Sequence, residues 1–519
     1  MTIALRLNRN SGTEIMLKTI VCITLMSFSL AASFAGTVNK VPLSVDAATK
    51  PIIPDYTVYT PDAVREKITL PQRQATVSID RLEASREYLR SVYSRNFLMF
   101  ANIQKQLPRG IFIDGGRITL TALSEQLPRL VKRLDSGMFV ARLPIIIEAD
   151  AALLIEPGDT LRLSAERGAF IHSNGKLVVD SARVEGWLES TNSYSVYSGD
   201  EKAFRPFIQS YGGSETFLIN AKFTSLGHDS GGSYGISLKS ASPKLLTKLS
   251  GAERQQTAKP PTGYIVDSEF NDLYFGFYSF GAKDVVIVGN RYNNNIIYGI
   301  DPHDYSVNLL IADNTVVGTQ RHGIIVSRHV NDSFIVHNVS KNNARTGIMV
   351  ERESRNNVVA FNETYNNQGD GITIYESPNN LVFGNRVYDN ADHGIRVRNS
   401  TDIKLHHNIV LNNRGAGVYF HVRDLSYQTE RDLNIDPYRM ESSGEVIGGL
   451  IAYNNSGGIF SEKALSLTLA QLRLESNGSR PFRGDLEQHY AAIKVTTWDS
   501  QNAAQVVFEH QQAGDNENP

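Results

Sequence analysis

The sequence predicts an all-β protein wound as a right-handed parallel β-helix with coils of 23–24 residues. Three observations predict it. The glycine of a recurrent Gly-apolar pair stands at Gly276, Gly299, Gly323, Gly347, Gly371, Gly394 and Gly417, at intervals of 23, 24, 24, 24, 23 and 23. Asparagines keep the same beat at Asn290, Asn314, Asn338, Asn362, Asn385 and Asn408, each closing an apolar run such as Val285-Val286-Ile287-Val288. From Leu143 onward, short apolar runs alternate with Gly, Asn and Asp, and no long helical pattern appears. A fixed period of this length in an all-β pattern indicates stacked coils. Leucine-rich repeats lack their leucine frame here, and tetratricopeptide or ankyrin repeats require helices.

In chain order, residues 1–35 read as a secretory signal peptide. Arg6, Arg9 and Lys18 precede an apolar stretch, and Ser33-Phe34-Ala35 ends it as a small-x-small cleavage site. The stretch is short for a membrane span. Residues 36–140 are expected as a small N-terminal region of mixed structure that precedes and caps the helix. Pro42, Pro51, Pro54 and Pro61 mark an extended start, and Asp80 to Gln106 looks amphipathic and helical. Residues 141–519 are expected as the β-helix, with regular coils over 264–425 and then C-terminal coils and a tail. Two segments break the beat, 240–261 and 426–443, the second readable as a loop over the groove. The asparagine series reads as a structural ladder of side chains bonded between coils, with Asp267 in the equivalent place one coil earlier. The glycines mark turns where no Cβ fits or φ is positive.

Composition narrows the function. The one cysteine, Cys22, lies within the signal. The mature chain therefore has no disulfide, no thiolate metal site and no cysteine nucleophile. Three of the 52 Lys+Arg and one of the 54 Asp+Glu fall in residues 1–35, which leaves a balance of −4. That balance argues against nucleic acid as a partner. No second long apolar run exists, so no transmembrane segment is expected in the mature chain. No cofactor and no metal is indicated.

Strand side chains alternate faces, so positions one and three after each glycine point inward and positions two and four outward. The outward series holds Asp301 and His303, then Ser327, Glu351, Tyr375, Arg396, Arg398, Tyr419 and His421. Position five adds Asp304, Arg328 and Arg352. Coils stack roughly 4.8 Å apart, so these residues form ladders. Arg suits carboxylates and Tyr suits sugar rings, which points to an extended anionic polymer. Asp301-Pro302-His303-Asp304 stands apart. It puts Pro at an inward strand position and two carboxylates beside one imidazole, a local rule broken within a regular repeat. The residues alone lead to proton abstraction on such a polymer, by an epimerase or a lyase. A non-enzymatic scaffold that guides and protects the polymer during export is a third reading.

Tyr298-Gly299-Ile300-Asp301-Pro302-His303-Asp304, followed by His322-Gly323-Ile324-Ile325-Val326-Ser327-Arg328, closely resembles the periplasmic mannuronan C5-epimerases of bacterial alginate biosynthesis. The likeness continues through Asp370-Gly371-Ile372-Thr373 and His393-Gly394-Ile395-Arg396-Val397-Arg398. The resemblance implies epimerisation of D-mannuronate to L-guluronate within polymannuronate, in the periplasm. It implies His303 as base and Arg328 as neutraliser of the sugar carboxylate, with Asp304 beside them. Asp301, Pro302, Arg352, Tyr375, Arg396 and Arg398 are the expected substrate contacts. Asp301 or Asp304 orients the imidazole, and water or a tyrosine such as Tyr298 returns the proton. Periplasmic alginate secretion proteins are the protein partners that the resemblance suggests.

Overall fold

A computed structural model describes residues 36–43, 49–83, 95–427, 431–478 and 480–508; the signal expected over 1–35 lies outside them. Three sheets of 15 strands each run the length of the molecule, and from coil to coil the strands pair in parallel with their equivalents. The groove-bearing strands, all in one sheet, are β1 (Tyr298–His303), β2 (Ile324–Ser327), β3 (Ile348–Glu351), β4 (Ile372–Tyr375), β5 (Ile395–Arg398) and β6 (Val418–His421). They pair in parallel and in register, for example Ile324↔Ile348↔Ile372↔Ile395↔Val418.

The inward positions form the core as the period-two pattern requires. Ile300, Ile324, Val326, Ile348, Val350, Ile372, Ile374, Ile395, Val397, Val418 and Phe420 are all buried in one continuous apolar column. The predicted asparagine ladder is present: Asn314 Nδ2 donates to Asn338 Oδ1 at 2.9 Å, and Asn338 Nδ2 to Asn362 Oδ1 at 3.0 Å. Its preceding rung is Ser268, whose N–H donates to Asn290 Oδ1, and not Asp267. Asp267 lies one residue early, at a left-handed turn position (φ +47°). A second ladder, Asn343, Asn367, Asn390, Asn413 and Asn454, runs parallel to it at another corner. The repeated glycines owe their identity to close approach. A Cβ on Gly299 would meet the Gly323 carbonyl at 2.7 Å, and one on Gly347 the Gly371 carbonyl at 2.8 Å.

The region expected over 36–140 to precede and cap the helix is partly wound into it. The first coil begins at Arg109–Asp114, which pairs in parallel with Ile145–Ile147. A short helix, Leu120–Gln126, closes that end with Leu123 inside the core. The expected 80–106 helix is confined, among the described residues, to Arg95–Gln104, because Thr76–Arg81 pairs as a strand instead. Gly36–Pro42 lies at the opposite end, antiparallel to Asn502–Phe508. The chain between runs back along the outer face of one sheet. Its contacts pass from Phe361 (under Lys50) to His337 (Tyr56), Tyr264 (Tyr59) and Asp180 (Arg65). This strap buries outward apolar residues that a free sheet face leaves in water. The break at 240–261 holds two short helices, Pro243–Leu246 and Gly251–Thr257.

Candidate active site

Pro302 has the local effect that a missing N–H predicts. The ladder from β1 to β2 registers Ile300 with Ile324 and His303 with Ser327, but lapses at Asp301 and Pro302. Pro302 itself is buried. Its expected place among the substrate contacts is therefore corrected: it shapes the backbone that carries Asp301 and His303. After β1 the chain turns left-handed at Asp304 (φ +34°) and Tyr305 (φ +61°). Arg328 (φ +62°) and Arg352 (φ +55°) occupy the same place one and two coils on. Such φ values are costly for residues other than glycine, and here they recur from coil to coil. They break the strand alternation that otherwise aims position five into the core.

His303 Nδ1 and Asp304 Oδ2 form a close hydrogen bond. Arg328 Nη1 lies 3.5 Å from the other oxygen of Asp304. The bond at Nδ1 fixes the tautomer and leaves the Nε2 lone pair for a proton. Burial alone pulls the imidazole pKa down, but Asp301, the Asp304 bond and Glu351 together outweigh it and raise it above its ordinary 6.5. Asp301 is buried, and desolvation pushes its carboxyl up to about 7. Its Oδ1 has no hydrogen-bond partner among the described residues. Two tyrosines border the pair: Tyr298, already expected as a proton source, and Tyr278, outside the expected set. The Tyr278 ring is 5.8 Å from that of His303, and burial with Tyr234, Asp301 and Asp304 raises its phenol well above 10. Tyr298 is pushed up to about 12, chiefly by burial and then by Asp301. Both are phenols that keep their protons at neutral pH.

Beyond this pair the groove deepens into a cleft of about 450 Å³, lined by Tyr298, Glu351, Arg352, Tyr375, Arg396 and Arg398 among others. His303 and Arg328 do not line it; the Arg328 N–H donates to the Glu351 carbonyl on its wall at 3.1 Å. The predicted arginines are already engaged. Arg396 reaches Asp370 at 3.0 Å, pairs closely with Asp392 and donates to the Tyr375 hydroxyl at 3.1 Å. Arg398 pairs with Glu376 at 2.8 Å and lies 3.6 Å over the Tyr375 ring. Asp370, Asp392 and His393 converge closely enough to suggest a cation site. The Arg396 guanidinium already serves that cluster. His393 is pulled down to about 4 and His421 to about 3, in both cases first by burial and then by Arg396. Of the 426–443 segment, the described residues from 431 onward lie over the groove. Its Asp436 receives two hydrogen bonds from Arg328, and its Arg431 pairs with Glu376 at 3.0 Å. Asp436 and Arg431 escape the sequence pattern because the beat is broken there, whereas Glu376 keeps it, at position five after Gly371.

Comparison with known proteins follows the same lines. Residues 305–429 match the family described as right handed beta helix region, which gives the winding its hand. Residues 228–360 match the family of periplasmic copper-binding protein (NosD). The mannuronan C5-epimerase of Pseudomonas putida is 40% identical over 443 residues, 84% of this chain and 83% of its own length. The Azotobacter vinelandii enzyme, AlgG, is 41% identical over 450 residues, covering 85% and 84%. The chain belongs to the mannuronan C5-epimerase family. It is thus an isomerase. A crystal structure of the periplasmic alginate epimerase AlgG superposes with a TM-score of 0.76 at 37% identity, covering 84% of this chain and 100% of that one. The family likeness therefore extends well beyond the regular coils over 264–425.

Proposed function

We propose that this epimerase inverts C5 of D-mannuronate residues within polymannuronate during alginate production, with His303 as the base and Arg328 as the neutraliser. The C5 proton lies next to a carboxylate and is very weakly acidic. Its removal sends the electron pair into the carboxylate, which becomes a dianion. Neutral His303 takes the proton on Nε2, while Asp304 steadies the imidazolium through Nδ1. Arg328 offers its cation to the developing charge. A proton then returns to C5 from the opposite face, from water or a tyrosine, and the configuration is inverted with no bond in the polymer broken.

The observation that carries this reading is the convergence of His303 and Arg328 on opposite oxygens of one carboxylate, Asp304. Asp301, Arg352, Tyr375, Arg396 and Arg398 line or border the groove that receives the neighbouring sugars. The protein works in the periplasm after removal of its signal. The outer surfaces of the coils contact alginate secretion proteins. The test is proton NMR of polymannuronate incubated with the enzyme in deuterated water. Guluronate signals and deuterium at C5, with chain length unchanged, are expected. Unsaturated chain ends identify a lyase and overturn the proposal.

A further inference from the structure

The connection between β6 and the strand Ser443–Ile447 reaches back across three coils. His329 Nε2 lies 3.1 Å from the Ile435 carbonyl. Arg328 donates from Nε to Asp436 Oδ1 at 3.0 Å and from Nη2 to Oδ2 at 2.8 Å. Arg352 Nη1 stands 3.6 Å from the same Asp436, whose side chain is only 1% exposed. A guanidinium is planar, so a carboxylate bound along its Nε–Nη2 edge fixes the direction of the remaining nitrogen. That nitrogen, Nη1, is the one facing Asp304 at 3.5 Å.

Asp436 is itself held from behind. Arg431 donates from Nε to the Asp436 carbonyl at 2.8 Å and from Nη2 to the Pro437 carbonyl at 3.1 Å. Its Nη1 pairs with Glu376, and the two side chains are 3% and 1% exposed. A carboxylate here could hold Arg328 or compete with substrate for it. Competition requires the loop to leave when substrate binds, and leaving strips partners from buried Arg431 and Glu376. Asp436 also takes the guanidinium edge, Nε and Nη2, that is not the one facing Asp304.

We propose that Asp436 is a positioning residue for the neutralising arginine, and that Arg431 fixes Asp436 in turn. This rests on the reading of Arg328 as neutraliser. Without Asp436, Arg328 is free to close on Asp304 and to draw that carboxylate from His303 Nδ1. The loss then has two parts, a displaced cation and a weakened anchor for the base.

Asp436→Asn, Arg431→Gln and Arg328→Ala are to be compared with wild type on polymannuronate by NMR, with melting followed by circular dichroism. Asp436→Asn is expected to lower kcat on the order of 10- to 100-fold, the scale of a displaced catalytic group, with KM changed less than about threefold. Its acidic pH limb moves to lower pH, because the Asp304 bond that raises the His303 pKa weakens. Arg431→Gln shows the same pattern more weakly. Unchanged kcat in folded Asp436→Asn makes the loop a mere cover and overturns the inference. A rise in kcat/KM makes Asp436 a competitor and overturns it too. If Arg328→Ala keeps wild-type kcat, the neutraliser reading fails first.

Discussion

His303 ends β1, and His393 precedes β5 four coils on; their surroundings are opposed. His303 Nδ1 bonds to the Asp304 carboxylate, and acidic neighbours lift its pKa despite burial. His393 Nδ1 accepts the backbone N–H of Ala416 at 3.0 Å, and burial with Arg396 drives its pKa down to about 4. The arginines differ likewise. Arg328 keeps Nη1 toward Asp304, the carboxylate bonded to His303, whereas Arg396 and Arg398 are spent largely on Asp370, Asp392, Glu376 and Tyr375. The groove thus holds an imidazole flanked by carboxylates at one end and a neutral, cation-flanked one at the other. What decides between them is the group at each ring nitrogen.

The largest effects should fall on the first end. His303→Ala is expected to lower kcat by roughly 100- to 10,000-fold, the usual contribution of a general base, with the fold intact by circular dichroism. The matching change, His393→Ala, should leave C5 exchange measurable under the same conditions. Equal losses in both variants would mean that the group at each ring nitrogen does not set what the histidine does. Arg328→Ala follows at roughly 100- to 1,000-fold in kcat, the scale of a lost electrostatic stabiliser. Next comes the pH profile. His303 must be neutral to act and its pKa is raised, so kcat/KM should fall as pH drops through a value above 6.5. Asp304→Asn removes one of the causes of that rise. Its acidic limb should move to lower pH while its maximal rate declines. A limb that stays put assigns the titration to Asp301, whose carboxyl sits at about 7.

Much of this contrast can be read in the chain before any coordinates, and the exceptions are physical. The inward column, from Ile300 to Phe420, follows from a period of two and a period of 23–24 acting together. His303 stands out because Pro302 violates a strand rule. Arg328 is harder to orient, because a left-handed residue at position five defies the alternation. The partners of the arginines are less legible still. Asp436 is 108 residues from Arg328, in a segment outside the beat, and periodicity carries no information there. The N-terminal strand fails for the same reason. Nothing in Gly36–Pro42 says that it closes the far end of the helix against Asn502–Phe508.

The smallest effect belongs to the second end and tests whether it binds substrate or only holds the fold. Arg396→Ala should raise KM by roughly 10-fold with kcat nearly unchanged, as expected for an interaction made equally in ground and transition states. It should also alter stability in a pH-dependent way. Asp370 is buried and its carboxyl is already raised to about 6, first by desolvation, with Arg396 opposing the rise. A raised carboxyl pKa means that the folded state holds the proton more tightly than the unfolded chain. The stability it contributes is complete below the ordinary 3.8 and is lost as pH rises through the folded value. Removing Arg396 lifts that value further and widens the window. The difference in melting temperature between wild type and Arg396→Ala should therefore be small near pH 4 and grow toward pH 8. A difference that is constant with pH would mean that packing of the Arg396 stem, and not its charge, is what Asp370 and Tyr375 require.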